Sequence, residues 1–424
     1  MNRPISNLDL SFYYVTGPTT PQTICGLFKL EGFVAPQLIR SRLASLIEIF
    51  PRLQYQADVK TKKWRLDPEF SIDKHLLVTK NCKSSTEKFA EAMATELAAD
   101  RPPWSLNVLY GSNSSTTDLL FSFHHSLGDG IGTMAFILSF FDESAERSSD
   151  PAASLTHAFD RLPAQAPRLK LFPRMKKLIA DALSPRDQSP LVGENSSSRS
   201  VRLFDIESSD VKQLRLKLGC TSNDMILAAL SHSLSKYFLR KEQKIGIDAV
   251  HAIIPFNRRT SRQITDLSNY LAGMSIALPL DEPELVKMAK RIGSRLTAAK
   301  FSGEYGAYGL LAEINAMLPN TMRPRLARYA SSRTSMICTN VPGHRSGLFL
   351  GGVPLQSGYG SAALMPGHGL AFSVINMGKK LCCCLLTDPA IIPDGEEIAD
   401  EFRKVFTTNN QDQPIRTERL NHAG

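Results

Sequence analysis

A chain of 424 residues is too long for one ordinary hydrophobic core and implies two domains. Hydrophobic residues at 42% and charged residues at 21% exclude a disordered chain. The excess of 50 Lys plus Arg over 41 Asp plus Glu holds no long basic block, so nucleic acid is not an expected partner; a net charge of +9 suits an anionic ligand, an anionic membrane surface or plain solvation.

Met1 to Leu10 lacks the charged and apolar blocks of a signal peptide. The most apolar run, Ile131 to Phe141, falls far short of the roughly 20 residues that cross a bilayer, so no span is expected. Thr23 to Leu30 reads as a strand. Pro36 then starts a helix whose Ile39, Leu43, Leu46 and Phe50 form one apolar stripe, and Pro51 stops it. Short strands follow near Leu53 to Val59 and Trp64 to Leu66, then a helix from Ser85 to Ala98. Strands at Asn107 to Tyr110 and Asp118 to Phe123 flank a polar turn, and the second runs straight into His124 and His125. Ile131 to Phe141 is apolar almost all round, which predicts a buried helix.

From Glu143 to Ser200 the chain is rich in Ser, Pro and Ala and reads as a crossover, dividing it into 1–142, 143–200 and 201–424. Within it, Leu169 to Leu183 is basic and amphipathic: Lys170, Arg174, Lys176 and Lys177 stand among Leu171, Phe172, Met175, Leu178 and Ile179. Such a helix lies on a membrane surface or packs against its own protein. The second half opens with a strand at Arg202 to Ile206 and a helix capped by Thr221 or Ser222. Strands at Ala249 to Pro255 and Ala272 to Leu278, a basic helix at Leu285 to Ala299, and strands around Ser335 to Thr339, Ala371 to Asn376 and Leu381 to Leu386 precede a closing helix at Glu396 to Val405. This alternation predicts an α/β (α+β) protein with mixed sheets.

Seven cysteines without a CxxC pair, three of them consecutive at Cys382 to Cys384, point to reduced, buried thiols in a cytoplasmic protein. Neighbouring strand residues face opposite ways, so the triplet does not form a metal site. The same divergence argues against a metal held by His124, His125 and Asp129.

One reaction needs little more than a histidine. Acyl transfer from a thioester to an alcohol requires a base for the attacking hydroxyl, donors for the oxyanion and a proton for the departing thiolate, and one neutral histidine serves the first and last. Two adjacent histidines at a strand end point to opposite sides, so one faces a given cavity; pattern alone does not say which. The Gly128-Asp129-Gly130-Ile131-Gly132 run lacks the spacing of a dinucleotide loop.

The run His124-His125-Ser126-Leu127-Gly128-Asp129-Gly130 matches the HHxxxDG signature of the coenzyme A-dependent acyltransferase superfamily. Four further blocks, in order, resemble the wax ester synthase/diacylglycerol acyltransferase family: Arg101-Pro102-Pro103-Trp104, Asn223-Asp224, Pro255 to Arg258 with Asn269, and Asn340-Val341-Pro342-Gly343. The family's Pro-Leu-Trp-Glu motif is Pro-Pro-Trp-Ser here. The resemblance implies two chloramphenicol-acetyltransferase-like domains with a tunnel at their interface, and a fatty acyl group passing from acyl-CoA to a long-chain alcohol or diacylglycerol. It implies His125 as general base, His124 shaping the site and Asp129 bracing the turn. Gly130 keeps the channel open, Asn223 and Asp224 lie near the substrate (a simple helix N-cap explains Asn223 equally well), and Asn340 to Gly343 form a structural turn. It calls for no cofactor or metal beyond acyl-CoA as co-substrate, and it admits a peripheral membrane or lipid-droplet surface as partner. The alternatives are a shorter or amine substrate in the same superfamily, and a lipid-binding protein that kept the scaffold without turnover. His368 reads as an exposed loop residue with no assigned role, and Lys287, Lys290, Arg291 and Arg295 as a solvated helix face open to CoA phosphates.

Overall fold

The structure, a computed structural model, describes residues 3–112, 115–144, 159, 162–166, 169–241, 248–344 and 347–407. Most of the Ser/Pro/Ala-rich crossover before residue 169 lies outside the described residues. The N-terminal part carries strands β1 (Arg3–Pro4), β2 (Thr23–Leu30), β3 (Tyr55–Asp58), β4 (Lys63–Leu66), β5 (Leu76–Thr79), β6 (Trp104–Tyr110) and β7 (Thr117–His124). Its helices are α1 (Asn7–Val15), α2 (Pro36–Ile49), α3 (Ser85–Met93) and α4 (Gly130–Leu138), and α5 (Leu171–Leu183) follows in the crossover. The C-terminal part carries β8 (Ser200–Glu207), β9 (Ala249–Asn257), β10 (Leu271–Pro279), β11 (Met336–Val341), β12 (Phe349–Leu350), β13 (Val353–Ser361), β14 (Leu370–Met377) and β15 (Lys380–Thr387). With them go α6 (Ser208–Leu218), α7 (Ser222–Arg240), α8 (Leu285–Ser302), α9 (Ala307–Met317), α10 (Arg323–Ser331) and α11 (Glu396–Thr407).

Two six-stranded mixed sheets result, ordered β12-β13-β2-β7-β6-β5 and β10-β9-β11-β14-β15-β8. The parallel pairs are β5 with β6, and β11 with both β9 and β14. One excursion breaks the simple halves: Phe349–Ser361 leaves the C-terminal part and extends the N-terminal sheet by antiparallel pairing of β13 with β2. That pairing gives β2 a neighbour on each side, and its residues are buried on both faces, which is why the segment alternates so loosely.

Each sheet has its own apolar core. Residues of α7, α8 and α11 pack on the C-terminal sheet, and α7 is buried almost all round. Helix α4, between layers as its composition demands, joins α2 and the N-terminal sheet in a cluster rich in phenylalanine. All seven cysteines are free thiols; Cys383 joins the C-terminal core, whereas Cys382 and Cys384 point to the opposite face of β15. Trp104 is a packing residue, stacked on His75 and donating from Nε1 to the Leu53 carbonyl at 2.7 Å.

His368 departs from its expected exposure: it is fully buried, its Nε2 2.9 Å from Thr334 Oγ1. Gly367, at a φ of +87°, turns the chain inward, and Leu191 and Val192 of the crossover close over it.

Gly343 is a steric necessity, because a Cβ there would sit 2.1 Å from the Asn376 carbonyl oxygen. Gly343→Ala is predicted to reduce unfolding free energy by about 1–3 kcal/mol in urea titration; unchanged stability would show that the Asn340 to Gly343 turn tolerates a side chain.

Candidate active site

The histidine pair sits where β7 ends and the chain turns into α4. His125 is held by its backbone from both sides: its N–H donates to the Gln22 carbonyl at 2.7 Å, and its carbonyl accepts from Asn269 Nδ2 at 2.7 Å. Phe12 of α1 stacks on the ring at 3.8 Å with planes 7° apart. The ring's Nδ1 is sealed from solvent and has no partner of good geometry; its own carbonyl is near enough to favour a proton there. Nε2 is therefore the nitrogen open to the cavities that His125 lines. Burial lowers the ring's pKa below the ordinary histidine value of 6.5, against the opposing pull of that carbonyl and of the Asp129 charge. At neutral pH the ring is uncharged.

His124 has no such freedom. Ser126 donates to its Nδ1 from both the backbone, at 3.2 Å, and the hydroxyl, at 2.8 Å. The proton consequently resides on Nε2, which donates to Thr16 Oγ1 at 2.9 Å while that hydroxyl donates to the Phe12 carbonyl. Tyr13 stacks on the ring, and burial followed by the neighbouring His125 pushes its pKa down to about 3. With both nitrogens engaged, this ring is a structural support.

Asp129 caps α4 by accepting from the Gly132 N–H at 2.8 Å. The same Oδ1 accepts from Arg259 Nη2 at 2.9 Å, and Oδ2 accepts from the Tyr270 N–H at 2.7 Å. Arg259 is fully buried; it also donates to the carbonyls of Gln263, Asp266 and Ser268, with Tyr270 beneath its guanidinium at 4.9 Å. A Cβ on Gly132 would lie 2.5 Å from Arg259 Nη2, and one on Gly128 2.4 Å from the Leu267 carbonyl oxygen, so both glycines make room for the loop between β9 and β10. Asn269 of that loop donates from Nδ2 to Asp9 Oδ1 at 2.8 Å as well as to His125. The C-terminal loop thus clamps the N-terminal motif.

Two apolar cavities, of about 100 and 150 Å³, meet at His125. The first runs between β2, α4 and β11, past Ile24, Met134, Ile137 and Val341. The second runs between α1, α9 and α10, past Phe12, Leu311, Ala312 and Ala327. Pro255, Leu271 and Ile337 line both. Gly130 lines the first, where a Cβ would come 3.1 Å from Val341.

Asn223 and Asp224 stand elsewhere. They open α7, where Asp224 and Thr221 form a reciprocal capping box, and neither lines either cavity. Lys287, Arg291 and Arg295 pair with Glu284, Asp281 and Glu304 on the surface of α8. The residues missed from the sequence are Phe12, Arg259, Leu271 and Thr339; the one available signal was that Arg259 directly follows the recognised Pro255 to Arg258 block. Among the described residues no group of three His, Cys, Asp or Glu side chains converges on a metal position.

The fold is that of a wax ester synthase/diacylglycerol acyltransferase from Marinobacter aquaeolei, with a TM-score of 0.69 at 16% identity over 96% of this chain and 99% of that one. It is also that of the starter condensation domain of rhizomide synthetase in complex with C8-CoA, with a TM-score of 0.64 at 13% identity over 99% and 98%. Residues 5–183 match the wax ester synthase/diacylglycerol acyltransferase catalytic domain, and residues 267–408 the C-terminal domain of the same family. The chain belongs to the wax ester synthase/diacylglycerol acyltransferase family and is an O-acyltransferase. A probable diacylglycerol O-acyltransferase of Mycobacterium tuberculosis is 25% identical over 81% of this chain and 80% of its own length. Wax ester synthase/diacylglycerol acyltransferase 3 of Arabidopsis thaliana is 24% identical over 90% and 89%.

Removing one partner from a buried ion pair costs about 3–5 kcal/mol, so Asp129→Ala is predicted to lower stability by that order and to abolish turnover; an active variant with a wild-type melting temperature would show that Arg259 does not need its partner. The buried histidines add a pH dependence. His124 is held to about 3, and His232 and His368 to about 4, by burial first. Unfolded histidines take protons near pH 6.5 and these do not, so the stability they contribute is complete above that pH and is lost as pH falls towards 4 and 3. Denaturant titrations at pH 7 and pH 5 are expected to differ by ~2 kcal/mol per histidine; equal stabilities would contradict the neutral, buried assignment.

Proposed function

We propose that the protein transfers a fatty acyl group from acyl-CoA to the hydroxyl of a long-chain alcohol or diacylglycerol, with His125 as the general base. The observation that carries this reading is the meeting of two apolar cavities at one open imidazole nitrogen. Nε2 takes the proton from the acceptor hydroxyl as its oxygen attacks the thioester carbon. A C–O bond forms and the carbonyl becomes an oxyanion. Collapse breaks the C–S bond, and the imidazolium returns its proton to the departing thiolate. Of the hydroxyls on the first cavity's wall, Thr133 donates to the Asp129 and Gly130 carbonyls, Ser361 donates to the Ala362 carbonyl, and Ser373 accepts from the Ala362 N–H; Thr339, which has no such partner among the described residues, is assigned to donate to the oxyanion. Asp129 acts through position and Asn269 through the His125 carbonyl.

Purified protein given palmitoyl-CoA and hexadecanol, or palmitoyl-CoA and diacylglycerol, is expected to release free CoA. His125→Ala should reduce the rate by about 10²–10⁴-fold and Thr339→Val by about 10²-fold. Because the base works uncharged and its pKa is lowered, the acid limb of kcat/KM is expected below pH 6.5. Full activity in His125→Ala ends this mechanism, and preference for a short donor with a small amine moves the enzyme to the alternative substrate class.

The acceptors are lipids, and α5 offers a surface for them. Its charged side faces the protein: Arg174 donates to the Gly306 carbonyl at 3.1 Å and pairs with Glu313, and Lys177 reaches Ser275 Oγ at 2.8 Å and pairs with Asp181. The apolar side faces outward, with Phe172 78% and Leu183 81% exposed beside Lys170 and Lys176. An apolar stripe flanked by cations that have no carboxylate partner among the described residues fits an anionic membrane or lipid-droplet surface. No described helix is long and apolar enough to cross a membrane. Phe172→Glu with Ile179→Glu is expected to abolish sedimentation with anionic vesicles; undiminished binding would remove α5 from that role.

A further inference from the structure

Two cavities reach His125, and either is placed to take the acyl donor. The second holds a side-chain amide that the first lacks. Among its apolar walls stands Asn315 of α9, 4% exposed, whose Oδ1 has no hydrogen-bond partner. A buried acceptor left unpaired costs about 1–3 kcal/mol. A hydrocarbon chain brings no donor to it, and the single hydroxyl of an alcohol or diacylglycerol acceptor is spent at His125. The pantetheine arm of CoA carries amide N–H groups along its length.

Across Ser331, which lines both, the second cavity adjoins a third of about 520 Å³ with a different character. The lining here is polar: Thr19 and Thr20 beyond α1, Asn195 and Gly193 of the crossover, and Arg186 and Arg328. Both arginines are exposed and have no carboxylate partner among the described residues. Two carboxylates also line it. Asp187 is already engaged by the Ser335 hydroxyl at 2.6 Å, the Ser189 N–H at 2.9 Å and His251 at 3.4 Å, whereas Glu194 is exposed. Free guanidiniums are the side chains best shaped for bidentate contact with phosphate oxygens.

On this polarity sequence, and resting on the acyl-CoA reading, we infer that the second cavity is the donor arm. Asn315 accepts from a pantetheine amide, and Arg186 and Arg328 bind the phosphates of the CoA nucleotide. The thioester reaches His125, and the first cavity is left for hydrocarbon.

The test compares palmitoyl-CoA with palmitoyl-pantetheine, which keeps the amides and lacks the nucleotide, on the full chain with hexadecanol as acceptor. The Arg186→Ser/Arg328→Ser double variant is expected to raise KM for palmitoyl-CoA about tenfold or more, with kcat little changed and palmitoyl-pantetheine unaffected. Asn315→Leu is expected to raise KM about fivefold for both donors and to leave the hexadecanol KM alone. An unmoved palmitoyl-CoA KM in the arginine variant overturns the assignment; so does an Asn315→Leu variant in which only the hexadecanol KM rises. The arginines are on the surface, so their variant stays informative if Asn315→Leu does not fold. A wild-type enzyme inert towards palmitoyl-CoA overturns the acyl-CoA reading itself, whereas activity with unmoved constants overturns the donor site alone.

Discussion

The buried ion pair between Asp129 and Arg259 is the constraint on which the site depends. One carboxylate caps α4, takes the Arg259 guanidinium and receives the Tyr270 N–H. Arg259 in turn gathers three carbonyls of its own loop. Burying two charges is expensive, and satisfying every oxygen of the carboxylate in this way is what makes it tolerable. The consequence is geometric. The loop that carries Arg259 and Asn269 connects β9 to β10, and those strands supply Pro255 and Leu271 to both cavities. The motif and the cavity walls are thereby positioned by the same loop, with the ion pair at its centre and Asn269 beside it on the His125 carbonyl.

Around that contact the two histidines divide the work by environment alone. Adjacent in sequence, they stack on adjacent aromatics of α1, His125 on Phe12 and His124 on Tyr13. Ser126 and Thr16 occupy both nitrogens of one ring, and the other ring keeps Nε2 open. Burial in an apolar setting keeps the open ring neutral, the state in which it can accept a proton, and gives any oxyanion donor more leverage than it has in water.

Much of this was legible in the sequence, for identifiable reasons. The long strands and the capped or one-sided helices, such as β7, α2 and α7, announce themselves through periodicity and punctuation, and the HHxxxDG run carries its own chemistry. What escaped is the wall of the second cavity. Helix α1 has Leu8, Leu10 and Phe12 at alternate positions, a strand-like pattern, and becomes a helix through its Ser6 cap and tertiary packing. Helices α9 and α10 are short and mixed in character, and β13 finds its partner more than 300 residues away. The Asn223-Asp224 pair shows the opposite hazard: a recognisable motif whose visible task is to start a helix. His368 was hidden by crossover residues that pack on it from far along the chain.

The outward apolar face of α5 fits the proposed lipid acceptors, as do the apolar linings of both cavities at His125. The meeting of thioester and hydroxyl at Nε2 of His125 is the step on which the proposed mechanism rests. It is tested most directly by a crystal structure with the hexadecyl thioether of CoA, which cannot be cleaved. The thioether sulfur is expected beside His125 Nε2, with the hydrocarbon and the pantetheine arm leaving it through different cavities. A sulfur bound away from His125, or both portions of the ligand in one cavity with the other closed, would contradict the mechanism.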